Sequence, residues 1–131
     1  MASIFSRIVT GEIPCHKIAE SDEFLAFLDV NPRTDGHTLV IPKMEIDYLF
    51  DIDDEMLGRM TLFAKKVARA IEKAISCKRI ALMVIGLEVP HAHIHLIPIR
   101  KESDLFLGKL KWKKSSEELA RTAELIRAQI A

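Results

Sequence analysis

Between Val89 and Ile99 the sequence reads VPHAHIHLIPI, with His91, His93 and His95 at every second position. The chain has 5 histidines in 131 residues, so most of them are crowded into this one stretch. Side chains alternate faces along an extended strand, so the three imidazoles are expected on one side, with Ala92, Ile94 and Leu96 on the other. Same-face neighbours lie roughly 6–7 Å apart, which gives a row of rings and not one cluster. Histidine titrates near neutrality, so such a row can hold a neutral nucleophile beside a proton donor and anion-stabilising N–H groups. Attack of a neutral ring nitrogen on phosphorus forms a covalent intermediate and divides one hard step into two. A neighbouring ring can stabilise the non-bridging oxygens or protonate the leaving group. Phosphoryl-type transfer depends mostly on such positioning and electrostatics.

Two other readings compete. H-x-H on a strand can place two imidazoles on zinc, with His37 as a third ligand. Three rings in a row do not converge easily on one ion, however, and His16 is near neither segment. Cys15 and Cys77 are far apart and form no C-x-x-C pair, so no metal and no disulfide framework is expected. The plainer alternative is a half-buried strand that happens to carry histidines. Three polar rings on one face would then each need a buried partner, which is costly without a purpose.

The elements that must position the row follow from periodicity. SIFSRIVTGEIP carries Ile4, Phe5 and Ile8 on one face of a short helical turn, stopped by Gly11 and Pro14. HKIAES and EFLAFLDV are strand candidates around Ser21-Asp22, NPRTDG is a turn, and HTLVIP, residues 37–42, is a buried strand ended by Pro42. Met56, Met60, Phe63, Val67, Ala70, Ile71 and Ala74 recur at steps of three and four, which predicts a long helix capped by Asp53. Gly58 costs that helix about 1 kcal/mol against alanine. RIALMVIG, residues 79–86, is nearly continuous in apolar character and predicts a central strand, with VPHAHIHLIPI as the next. Ser115 and Glu118 form a capping box ahead of a C-terminal helix over about 115–130. Strands, a long helix, two strands and a helix make an α+β fold with a mainly antiparallel sheet.

Composition sets the outer limits. A chain of 131 residues, 49% hydrophobic and 29% charged, is sized for a single globular domain over 1–131. Basic and acidic residues number 19 each, so no bulk attraction to nucleic acid or an anionic membrane is expected. MASIFSRIVTGEIP lacks the apolar stretch of a signal peptide and no segment approaches a membrane span, so a cytoplasmic location is expected.

HAHIHLIPI resembles the H-φ-H-φ-H-φ-φ signature of the histidine-triad (HIT) superfamily, where φ is apolar. IFSRIVTGEIP, FLAFLDVNP and GHTLVIPK resemble the family's N-terminal, ribose-side and fourth-histidine segments in the same order, so that the similarity runs over roughly residues 3 to 99. The nearest branch is similar to the nucleotide-binding phosphoramidases. The resemblance implies a five-stranded antiparallel sheet, a homodimer, purine nucleotide binding and cleavage at the α-phosphorus, with no cofactor. It implies that His93 is the nucleophile and that His95 stands beside the phosphate and leaving group. His91 and His37 are implied as the supporting pair that orients the nucleophile. Asp29 is implied as the ribose acceptor, and Ile4, Phe5, Ile8, Phe27 and Val30 as the base pocket. Backbone N–H groups around Val89 remain for phosphate, although Pro90 cannot donate.

The sequence departs from the family in places. No Asn lies between Ile80 and Gly86, Leu87 stands where Gln is common, and Glu88 where a small polar residue is common. A carboxylate near a phosphate is repulsive unless it turns away, pairs or is protonated. Ser3 and Ser6 occupy the positions of a zinc-binding C-x-x-C found in some members. In GKLKWKK, Trp112 is expected to cover the dimer or the neighbouring site. Two other functions remain open, a dinucleoside polyphosphate hydrolase and a nucleotide-binding regulatory dimer with little catalysis.

Overall fold

The computed structural model describes residues 2–106 and 114–130. Trp112 and its lysine neighbours lie outside the described residues. Five strands form one sheet: β1 (Lys17–Glu20), β2 (Phe24–Leu28), β3 (Thr38–Pro42), β4 (Arg79–Met83) and β5 (Ile94–Ile99). Their spatial order is β1-β2-β3-β5-β4, and every neighbouring pair is antiparallel. Three α-helices are described, α1 (Ile4–Val9), α2 (Asp54–Ala74) and α3 (Ser116–Arg127), with short 3-10 turns at Leu49–Asp51 and Glu102–Leu105.

Local signals explain most of these boundaries. Asp53 caps α2 by accepting from the Met56 N–H, with Asp54 and Glu55 in the favourable first turn. Ser115 and Glu118 close a reciprocal capping box at α3. The buried stripe of α2, including Met60, Val67 and Ile71, lies against Ala26, Leu28, Val40, Ile94 and Leu96 of the sheet, together with Leu119, Ala123 and Ile126 of α3. Each large side chain fully buried here contributes about 1.5–3 kcal/mol. The opposite face of the sheet presents Leu25, Phe27, Leu39 and Ile41, and Phe5 of α1 covers them. β2 and β3 are therefore buried on both faces, which accounts for their unbroken apolar sequences.

Two expectations are corrected. RIALMVIG is not a central strand. Its strand portion, β4, is the sheet edge, and β5 takes the interior position beside β3. Apolar content alone does not distinguish the two, because an edge strand can keep exposed apolar residues, as Leu82 does at 56% exposure. The strand expected over 89–99 begins only at Ile94. Pro90 has no N–H to give a ladder. The His91 N–H closes a tight turn onto the Val89 carbonyl at 2.8 Å, and the Ala92 N–H pairs with Ile46 O at 2.7 Å, outside the sheet.

Gly36 sits in the left-handed region at φ +89°, one residue before His37. A Cβ built there would lie 2.9 Å from Ile75 Cγ1 and 3.3 Å from Pro98 Cγ. Gly36→Ala is expected to destabilise the fold by about 1–3 kcal/mol, from backbone strain and overpacking together. Urea denaturation of the pair of proteins measures this, and equal midpoints would contradict it.

Candidate active site

The histidine segment crosses from turn to strand, and this divides the work of its rings. His95 lies on β5 between Leu39 of β3 and Met83 of β4. Its ring stands 4.9 Å from that of His93 and 5.2 Å from that of His37, centroid to centroid. Phe5 packs edge-on against both His91 and His93, at 5.8 and 5.0 Å. His91 is completely buried and His37 is 1% exposed.

Backbone groups cannot exchange donor and acceptor roles, so they fix the tautomers of these rings. His93 Nδ1 lies 2.8 Å from the His91 carbonyl oxygen, so Nδ1–H donates and the Nε2 lone pair is available. His91 Nε2 lies 2.8 Å from Pro42 O and must also donate, which leaves His91 Nδ1 to accept from the Ser3 hydroxyl at 2.7 Å. The Arg33 N–H donates to His37 Nδ1 at 3.0 Å, so the His37 proton is on Nε2 and is given to His95 Nδ1 at 3.0 Å. His95 then carries its own proton on Nε2. The site thus presents a lone pair on His93 beside an N–H on His95.

Behind His91 is a second layer that sequence reasoning did not reach. The Ser3 N–H and the Ser6 hydroxyl both donate to Glu45 Oε1, at 2.7 and 2.6 Å. Those two bonds hold the Glu45 carboxyl down to about 2. Ser3 and Ser6 were singled out in the sequence, but Glu45 gave no signal, because the contact spans the fold.

One open cavity of about 550 Å³ unites the rest, a size suited to a small organic ligand. Ile4, Phe5, Ile8, Phe27, Asp29, Val30 and Val89 all line it, as do His37, His93 and His95, whereas His91 does not. Phe5, Phe27, Ile8 and Val89 belong to the apolar cluster beneath its floor. Asp29 follows β2 directly. Its Oδ1 accepts from the Asn31 N–H at 2.8 Å, the turn-forming role of an aspartate ahead of N-P, and its Oδ2 lies 3.7 Å from His37 Nε2. Glu88 and Leu87 also line the cavity, and Glu88 is exposed.

His37 and His91 are thus not equivalent supports. The His91 carbonyl touches His93, whereas the His37 ring touches His95. Asp29, His37 and His95 also bring donor atoms within 4.8 Å of one another, the one grouping of possible metal ligands among the described residues. In this arrangement His37 Nε2 and His95 Nδ1 are spent on each other, and a cation would have to break that bond. The geometry favours a hydrogen-bond relay over a metal centre.

Burial first, then the charges of His95 and Arg33, push His37 down to about 3. Burial, followed by His93 and Arg33, pushes His95 down to about 4, and burial also lowers His91. These rings are neutral at pH 7.

Comparison with known proteins places this geometry among relatives. The HIT domain family matches residues 10–102. An uncharacterized HIT-like protein of Borreliella burgdorferi is 37% identical over 93% of this chain and 91% of its own. An adenosine 5'-monophosphoramidase of Schizosaccharomyces pombe is 36% identical over 99% of each chain. The crystal structure of a HIT-like protein involved in cell-cycle regulation from Bartonella henselae superposes with a TM-score of 0.84, at 33% identity, over 97% of this chain and 95% of that one.

The depressed histidines make a prediction about stability. Unfolded imidazoles titrate near 6.5, so between about pH 4 and 6.5 the unfolded chain holds protons that the folded rings refuse. Their contribution is complete above about pH 6.5 and is lost as pH falls. The slope is at most about 1.4 kcal/mol per pH unit for the buried His37, and smaller for the more open His95. Urea titrations from pH 7 to 4 should show this fall, and His37→Gln should flatten it. Equal slopes in both proteins would refute the assignment.

Proposed function

Because the chain belongs to the HIT family, we propose that it is a nucleotide hydrolase that cleaves nucleoside monophosphate-X bonds at the α-phosphorus through a nucleotidyl-histidine. The observation that carries this reading is the fixed tautomer of His93. Its Nδ1–H is given to a backbone carbonyl and its Nε2 lone pair lines the cavity wall.

The steps follow from the tautomers. His93 Nε2 attacks phosphorus as the bond from phosphorus to X breaks, and X leaves with the electron pair. The His93 ring gains positive charge, and the His91 carbonyl that accepts from Nδ1–H stabilises it. His95 Nε2–H stands beside the reacting centre and can donate to the departing group. Water then cleaves the nitrogen–phosphorus bond, its hydroxyl going to phosphorus and its proton to His95 Nε2 in place of the one given to X, which releases the nucleoside monophosphate and restores both rings. Phe5, Phe27, Ile8 and Val89 form an apolar slot that suits a purine, and Asp29 lies where a ribose hydroxyl could reach a carboxylate. The relative that is an adenosine 5'-monophosphoramidase supports a phosphoramidate as the first substrate to assay. His93→Ala should lower turnover of adenosine 5'-phosphoramidate by at least about 10³-fold and abolish an acid-trapped nucleotidyl adduct. Undiminished turnover in that variant would remove the mechanism.

A homodimer built on the β4 edge belongs to the same proposal. β4 pairs only with β5 among the described strands, which leaves one edge unpaired. Leu82, Val84, Ile85 and Leu87 are exposed along and just beyond it, Leu87 at 89%. An exposed apolar edge is a template for pairing, and two copies meeting there would form a self-complementary interface. Ile85 and Leu87 also line the cavity, so a second copy would close one of its walls. Leu82→Lys is expected to shift the protein to monomer in sedimentation at micromolar concentration. A variant that sediments identically to the parent would rule out this edge.

A further inference from the structure

The charge pattern of the cavity poses a problem for an anionic substrate. Asp29 and Glu88 both line it, and each repels a phosphate. The buried His37 and His95 rings are neutral there and supply hydrogen bonds without formal charge. Arg33 is the one lysine or arginine among the described lining residues. Its guanidinium makes no ion pair with any described carboxylate, and its Nη1 is shut off from solvent with no hydrogen-bond partner. A buried charged N–H without an acceptor is rare and costly in a folded protein. Arg33 also lines the cavity that holds the nucleophile, and an anion arriving there with the substrate is the partner that its guanidinium lacks among the described residues.

The backbone of Arg33 fits the same assignment. Its N–H donates to His37 Nδ1 at 3.0 Å, so one residue sets the relay through His37 to His95 and also brings a fixed cation to that side of the cavity. Guanidinium is planar, always charged and matched to phosphoryl oxygens.

We propose that Arg33 is the phosphate anchor of this site, pairing its guanidinium with the non-bridging oxygens of the substrate phosphoryl group. The inference rests on the nucleotide reading above, but it can fail separately from it.

Calorimetry with AMP and with adenosine on the wild-type protein, Arg33→Gln and Arg33→Lys tests it, together with thermal protection by inorganic pyrophosphate. Arg33→Gln is expected to weaken AMP about 10- to 100-fold while adenosine stays within about two-fold, the size of a lost charge-assisted contact. Pyrophosphate should protect the wild type and not Arg33→Gln, and Arg33→Lys should retain part of the AMP preference. Unchanged adenosine affinity also shows that the variant pocket is intact. An unchanged ratio of AMP to adenosine affinity in Arg33→Gln would overturn the proposal, as would a parallel loss of both ligands. If pyrophosphate protects through Arg33 while AMP and adenosine do not bind, the anchor stands and the nucleotide reading falls. If neither AMP nor pyrophosphate acts on the wild type, both fall.

Discussion

The hydrogen bond from His93 Nδ1–H to the His91 carbonyl is the contact on which the rest of the site depends. A side-chain acceptor could swap its role or rotate away, but a carbonyl can only accept. The bond therefore excludes the tautomer that would put the proton on Nε2. It holds only while the His91 backbone holds, and that backbone is clamped from three sides. Nε2–H reaches Pro42 O at the end of β3, Nδ1 takes the Ser3 hydroxyl, and the Phe5 ring lies edge-on against the imidazole. β3 is buried on both faces, so the register of the core reaches the His93 lone pair through one ring.

Burial does two jobs here. It supplies the packing that fixes the rings, and by opposing charge it keeps His37 and His95 neutral far below ordinary imidazole values. A neutral His95 can accept from His37 and still offer its own N–H, which a doubly protonated ring could not do. The cost is that His37 and His95 bring no positive charge to the cavity, and among its described lining residues Arg33 is the one lysine or arginine. Phe5 joins both roles, since it belongs to the apolar cluster and also walls the cavity beside His93.

The sequence displayed whatever depends on short-range pattern. The period of α2, its Asp53 cap, the Ser115 box and the strand identity of β2 and β3 all appear in short-range pattern. The apolar lining around Phe5 and Phe27 and the histidine positions were legible too, although the likeness to a family, and not apolar character, singled out the lining. Strand order was not legible, because whether β4 or β5 lies inside the sheet is decided by partners far away in sequence. Glu45 was invisible for the same reason: its contacts to Ser3 and Ser6 span 42 and 39 residues. Arg33 sat inside a segment whose composition said turn, and nothing local distinguishes a solvated turn arginine from one whose Nη1 is enclosed.

The failed expectation of a regular strand at His91 and His93 bears directly on the chemistry. In a β-ladder each carbonyl that faces a neighbouring strand accepts from that strand's N–H. A His91 carbonyl used in that way would face competition for the bond that fixes His93. Here the chain turns at Val89–His91, sends the Ala92 N–H to Ile46, and joins the sheet only at Ile94. The turn gives up ladder bonds ahead of Ile94 and in return leaves a carbonyl where the His93 ring can reach it, two residues on along the same chain. Pro90, which has no N–H to lose, makes that departure less costly than it would be elsewhere in the sheet. The alternation that drew attention to the three histidines therefore does not describe a row of equal rings. It describes one ring that anchors a carbonyl, one that the carbonyl aims, and one that stands beside it on the strand.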